Sequence, residues 1–172
     1  MLNSLFTFFS DENLRYDLLP GETLPAPYRD LLVHQNHMTT TLEKFYGQPV
    51  QVEVKKQQVK NSLYKRFSLL SLPKIGVVEI GIVHMDLSFF STEIRDEILH
   101  GKKPLGKILI DHKEPRDIQV KTYFKLQTCS SLEKAFSMST LSFYGRSTRI
   151  SCKTPIEVVE IIRPQGVNYA GS

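Results

Sequence analysis

Residues 49 to 87 hold three strand-like stretches with almost nothing between them. "PVQVEVKKQQV" alternates Val50, Val52 and Val54 with polar neighbours, the period-two signature of a strand with one face turned inward. "SLYKRFSLLSL" places Tyr64, Arg66, Ser68, Leu70 and Leu72 on one face and Lys65, Phe67, Leu69 and Ser71 on the other. "VVEIGIVHMDL" follows after only "PKIG". Parallel neighbours need a long crossover, so connections this short favour antiparallel hairpins.

Three further strands run through "DIQVKTYFKL", "TLSFYGRSTRISC" and "PIEVVEIIR". Between the two groups, "STEIRDEILHG" has a good helix start at Ser91, acids in its first turn and Gly101 as a stop. "KKPLGKILI" then restarts at a proline, which suits a short helix or turn. Upstream, "MLNSLFTFFS" reads as a short buried opening helix. Three prolines and a glycine make Leu18 to Asp30 a loop. From Tyr28 a helix runs to a polar break around Met38, and a second helix continues to Gly47. Thr40 and Glu43 fit a capping box in that second helix, which places Met38 in the turn before it. The order lacks a regular βαβα alternation. It predicts an α+β fold: an antiparallel sheet of about six strands with helices packed on one side.

The chain of 172 residues suits a single domain over 1–172, a size at which roughly 70% of the unfolded surface is buried. Its 41% hydrophobic and 23% charged composition is that of a globular protein. A net charge of +4 and a pI near 9.0 suit an anionic small molecule as readily as a phosphate backbone. The basic residues are dispersed, with no run longer than the pairs Lys55–Lys56 and Lys102–Lys103, so no nucleic acid partner is expected. Two cysteines, Cys129 and Cys152, are too few for a disulfide scaffold or a four-ligand zinc site. A cytoplasmic setting is expected. The apolar N-terminal stretch is shorter than the ~20 residues of a membrane span, so no membrane association is expected.

Few motifs carry chemistry. His34 and His37 in "HQNH" have helical spacing for two metal ligands, but there is no H-E-x-x-H and no acid-rich or Cys-rich partner, so no metal is expected. His84, His100 and His112 are isolated. No serine lies in a G-x-S-x-G context, and neither a P-loop nor G-x-G-x-x-G occurs. What remains is charge inside strand-like text: Arg66, Arg146 and Arg149, with Glu79, Glu157 and Glu160. Singly, each reads as an exposed residue or a structural ion pair. As a group, guanidinium forks and carboxylates suit a small, anionic, hydroxylated ligand. In "TPIEVVEIIRP" the alternation puts Ile156, Val158, Glu160 and Ile162 on one face and Glu157, Val159, Ile161 and Arg163 on the other, so the two glutamates point apart.

Taken in order, "HMTTTLEKFYG", "YKRFSLL", "GKKPLGKIL" and "FYGRSTRISCKTPIEVVEIIRP" resemble the chorismate pyruvate-lyase family and its less characterised prokaryotic relatives, from about Leu32 to Pro164. The most specific pieces are P-L-G after a helix, the G-R-S-x-R strand, and a glutamate five residues after a proline in the last strand. The resemblance implies cleavage of chorismate to 4-hydroxybenzoate and pyruvate, without metal or organic cofactor, for quinone or phenolic-lipid synthesis. It places the ring-carboxylate anchor on Arg66 and the glutamate that meets the product hydroxyl on Glu160. It places backbone contacts to the ligand on Met38 and Leu105. Glu157 is left as an outward or structural acid, and Arg146 or Arg149 as a receiver of the enolpyruvyl carboxylate. At three residues' separation, only one of these two arginines can face the pocket without a bulge. A monomer or weak homo-oligomer is expected.

Two other readings share this fold. Effector domains of certain bacterial transcription regulators look similar and bind small acids without converting them, but they follow a winged helix-turn-helix. About thirty residues precede the first matching motif here, fewer than such a domain needs. The other is a lyase-like relative that acts on a different cyclohexadiene acid.

Overall fold

The computed structural model describes residues 2–164. The expected domain of 1–172 extends outside the described residues at Met1 and at 165–172. In chain order the elements are α1 (Leu2–Phe9), β1 (Tyr16–Leu19), α2 (Tyr28–Leu32), α3 (Met38–Tyr46), β2 (Gln51–Lys60), β3 (Leu63–Leu72) and β4 (Gly76–Asp86). They continue with α4 (Thr92–His100), α5 (Leu105–Asp111), β5 (Asp117–Gln127), α6 (Ser130–Phe136), β6 (Ser142–Ser151) and β7 (Pro155–Ile162).

Among the described residues, seven strands form one antiparallel sheet in the order β1-β5-β6-β7-β4-β3-β2. Two three-strand meanders, β2-β3-β4 and β5-β6-β7, join where β7 pairs with β4. α4 and α5 carry the chain from the first meander to the second. All six expected strands are present. The seventh, β1, adds four residues to the free edge of β5 and is too short to display a period.

The alternation read in β7 holds. Ile156, Val158 and Ile162 pack on one face with α2 to α5, against Leu31, Leu32 and Met38 at one end and Ile94, Ile98, Leu105 and Ile108 at the other. Val159 and Ile161 pack on the opposite face with Leu5, Phe6 and Phe8 of α1 and Leu132 and Phe136 of α6. The expected helix-packed antiparallel sheet is therefore observed, with α1 and α6 covering the second face as well. The cause is local: β4 and β7 are apolar on both faces and buried along most of their lengths, so one helical layer would leave Ile80, Ile82, Val159 and Ile161 in water.

Helix ends follow the chemistry of their caps. Ser91 Oγ accepts from the Ile94 amide at 3.4 Å to start α4, and Gly101 ends it at φ 65°; Gly47 ends α3 at φ 70°. The Thr40–Glu43 capping box does not form. His37, in extended backbone, holds the N-cap position, so α3 begins at Met38 and Met38 is its first residue, not a turn residue. Glu43 Oε1 instead accepts from the Val50 amide at 3.1 Å, tying the end of α3 to the start of β2.

Candidate functional site

The register of the four central strands builds the site. On the face covered by α2 to α5, Ser68, Gly81, Glu160 and Arg146 lie side by side across β3, β4, β7 and β6. One step along, Arg66, Val83, Val158 and Thr148 form the next row; one step the other way, Leu70, Glu79, Ile162 and Tyr144 form a third. Gly81 has no side chain, so the middle row has a gap at its centre. A cavity of about 50 Å³ occupies that gap. Arg66, Ser68, Glu79 and Glu160 supply its polar wall, while His37 to Thr39 and Pro104 to Gly106, where α3 and α5 begin, close it over.

All four residues singled out from the sequence, Met38, Arg66, Leu105 and Glu160, border this one cavity. They are far apart in the chain and come from α3, β3, α5 and β7. Met38 and Leu105 each open a helix, where first-turn amides have no carbonyl partner within the helix.

Glu160 is 7% exposed and bonds through Oε2 to Arg146 Nε at 2.5 Å. Arg146 is fully buried. Its Nη1 donates to the carbonyls of Leu32 and His34 at 3.0 and 2.8 Å, and its Nη2 to that of Asn36 at 3.1 Å. This corrects the expectation that Arg146 or Arg149 receives a ligand carboxylate. Arg146 faces the right way, but its guanidinium is engaged by Glu160 and by the segment leading to Met38. Arg149 lies on the opposite face, paired with Glu157 at 2.7 Å, and Glu157 is a structural acid.

Arg66 is different. It is 2% exposed, and its Nε and Nη1 find no acceptor. Burial pulls its pKa down, opposed by the adjacent Tyr64 and by Glu79. A buried, unmatched guanidinium is costly, and the cavity beside it is where an anion would relieve that cost.

The sequence placed Glu79 in the group of charged strand residues but gave it no role of its own. It is 5% exposed, its Oε2 has no donor, and it shares the cavity wall with Arg66 and Glu160. Burial raises its carboxyl well above the ordinary 4.5, the Glu160 charge adds to the rise, and Arg146 and Arg66 oppose it. Burial and the Glu160 charge both favour the protonated form of Glu79. The signal that could have found it was Gly81, a glycine inside a strand two residues from a strand-buried acid.

The two histidines do not converge on a common point. His34 Nε2 donates to the Leu31 carbonyl at 2.9 Å, and its Nδ1 accepts from the Asn36 amide at 3.1 Å. His37 Nε2 accepts from Arg116 Nε at 2.7 Å, which leaves the ring proton on Nδ1. Burial, then Arg116 and Arg146, push the His37 pKa down to about 4. His37 also borders an open groove of about 710 Å³ that includes Arg116 and Lys113, so it forms part of the partition between the closed cavity and the surface. Among the described residues, no group of His, Cys, Asp and Glu is placed to hold a metal, and no helix is long and apolar enough to cross a membrane.

No family model matches the chain, and no curated protein matches it. Among solved structures, it is similar to the crystal structure of gene product SA0254 from Staphylococcus aureus subsp. aureus, with a TM-score of 0.55 and 12% identity over 76% of this chain and 89% of that one. At that identity the likeness shows a shared fold, an α+β arrangement of helices on an antiparallel sheet.

Proposed function

We propose that this chain is a chorismate pyruvate-lyase. The observation that supports the reading is the buried guanidinium of Arg66, with two unmatched nitrogens, in the wall of a cavity that also presents Glu160. Arg66 and Glu160 are two strands apart and one row apart, with the side-chain-free Gly81 between them. A flat ring with a carboxylate at one end and a hydroxyl at the other would address one group with each end. Arg66 holds the ring carboxylate, and the Glu160 oxygen not bonded to Arg146 accepts from the ring hydroxyl.

In the reaction, the ring carbon bearing the hydroxyl loses its hydrogen as a proton. The bond from the neighbouring ring carbon to the enolpyruvyl oxygen breaks with its electrons going to oxygen. The ring becomes aromatic, and the released enolate takes up that proton on its methylene carbon to become pyruvate. Aromatisation makes the step downhill, so orientation and charge control are the main requirements. The cavity holds the equivalent of a few waters, so admitting a whole ring requires the starts of α3 and α5 to separate. Such a roof also makes product release slow.

The test is turnover of chorismate by purified protein, with pyruvate and 4-hydroxybenzoate followed together. Both should appear in equal amounts in the wild type. Glu160→Gln should fold and lose turnover; unchanged turnover removes Glu160 from the reaction. Arg66→Ala should weaken binding of chorismate and 4-hydroxybenzoate by about 2–5 kcal/mol, and retained affinity would show that another cation holds the carboxylate. A second reading, a small-acid sensor that does not convert its ligand, is favoured by one observation: Glu160 is held by Arg146 at 2.5 Å, which leaves it little freedom as a base. Tight binding of 4-hydroxybenzoate without turnover would select that reading.

A further inference from the structure

The charges around the cavity do not balance. Arg66 and Arg146 contribute two positive charges from β3 and β6, and Glu160 contributes one negative charge from β7. Glu79 on β4 would bring the sum to zero if ionised, and Arg66 would be its natural partner. Yet the Nε and Nη1 of Arg66 and the Oε2 of Glu79 are all buried and all unpaired, on either side of Ser68 and Gly81. A Cβ built on Gly81 would lie 3.4 Å from Glu79 Oε1 and 3.5 Å from Ser68 Oγ, so Glu79 and Ser68 flank the floor itself. Two opposite groups left unpaired thus border one cavity of about 50 Å³.

We propose that Glu79 is a second acid of this site, carrying a proton that it donates in a hydrogen bond to the carboxylate held by Arg66, so that this part of the cavity takes up a single carboxylate group. With Glu79 neutral, the surrounding charge is +1, which one carboxylate brings to zero. With Glu79 ionised, the same carboxylate would meet a second anion at close range, and like charges in a desolvated site repel strongly. A carboxylic acid facing a carboxylate forms a short, charge-assisted O–H···O⁻ bond. The role goes beyond those of Arg66 and Glu160. It rests on Arg66 as the carboxylate anchor and does not depend on turnover.

Ligand affinity is then linked to pH. The groups facing Glu79 are Arg66 from β3, Glu160 from β7, Arg146 from β6 and, at the closure above, His37. His37 titrates at about 4 and Tyr64 above its ordinary 10.0, both outside the range that follows. The probe is benzoate, with 4-hydroxybenzoate in parallel, titrated calorimetrically into the wild type between about pH 6 and 8.5, in buffers of different ionisation enthalpy. Affinity should fall by up to tenfold per pH unit once Glu79 begins to ionise in the free protein, with uptake of up to one proton per ligand bound over the same interval. Glu79→Gln keeps a donor without the titration, and should bind with affinity independent of pH and with no proton uptake.

Binding by the wild type that is unchanged across the range, with no proton uptake, overturns the proposal. So does failure of both acids to bind at pH 6, or a Glu79→Gln variant that keeps the wild-type pH dependence. Proton uptake is read on the wild type alone, so a poorly folded variant does not protect the idea. Proton-linked binding without conversion of chorismate would refute the lyase reading and support this one. Turnover with pH-independent binding would do the reverse.

Discussion

Arg146 makes the bonds expected of a ligand-binding arginine, but it makes them to the protein. It and Arg149 sit three residues apart on β6, and each pairs across the ladder with a glutamate of β7, Arg146 with Glu160 and Arg149 with Glu157. The pairs differ in burial. Arg146 is 1% exposed in its side chain, whereas Arg149 is 42% exposed. Removing a buried partner leaves its counter-ion stranded, at a cost of about 3–5 kcal/mol, while exposed pairs contribute about 0–1 kcal/mol. Arg146→Met should therefore lower stability to urea by the larger amount, since it also frees the carbonyls of Leu32, His34 and Asn36, and Arg149→Ala by about 1 kcal/mol. Arg146→Lys should recover only part of the loss, because an ammonium cannot reproduce the fork. Equal costs for Arg146→Met and Arg149→Ala would show that Arg146 is not the strut of the loop before α3.

Two glycines inside strands make the corresponding contrast between elements. A Cβ at Gly145 of β6 would lie 2.5 Å from the Glu160 carbonyl oxygen and 2.6 Å from Phe124, whereas at Gly81 of β4 nothing is nearer than 3.4 Å. Gly145→Ala forces β6 off β7 and should cost about 1–3 kcal/mol or more. Gly81→Ala should change stability by less than about 1 kcal/mol yet weaken benzoate binding at least tenfold, because the methyl group enters the cavity. Urea denaturation and ligand titration on both variants check this; a Gly81→Ala protein with unchanged affinity would place the ligand elsewhere. Gly81 also marks the limit of what the sequence discloses. The six long strands were legible as alternating or apolar runs bounded by turn residues, and the opposed faces of β7 followed from spacing alone. β1 was not legible, being four residues long, and α6 was missed between two strand-like runs. The start of α3 was misplaced because the helix begins at Met38 without a side-chain cap, two residues before Thr40. Met38, Arg66, Leu105 and Glu160 were legible through a resemblance. The role of Glu79 was not, since it exists only once register sets β4 between β3 and β7, and Arg146 was misread because its partners are backbone carbonyls more than a hundred residues away.

Across the whole molecule, the buried titratable groups act on stability in opposite directions with pH. His34, His37 and His84 are all held below the ordinary 6.5, chiefly by burial, with His37 reaching about 4. Below pH 6.5 the unfolded chain takes up protons that the native state refuses, so these groups cost stability progressively as pH falls. Glu79 works the other way. Its native pKa lies well above 4.5, so as pH rises past that value the unfolded chain sheds a proton the native state must keep. Stability then falls until the native carboxyl also ionises. Each such proton changes stability by at most about 1.4 kcal/mol per pH unit. Exposed Glu12, Asp86 and Glu97 are lowered by hydrogen bonds from Ser131, Ser88 and His112 respectively, and their contribution is lost only as pH falls through the carboxylate range. With Glu79 protonated as proposed above, stability should peak near pH 6.5, the histidines setting the acid limb and Glu79 the alkaline one. Urea midpoints from about pH 4.5 to 8.5 measure both limbs. In Glu79→Gln the alkaline limb should flatten while the acid limb remains. In His37→Gln, whose amide oxygen can still accept from Arg116, the acid limb should become shallower and the alkaline one persist. A wild type already flat above pH 6.5 would mean that Glu79 is ionised in the folded chain, in which case Arg66 is its partner and the cavity is a structural ion pair.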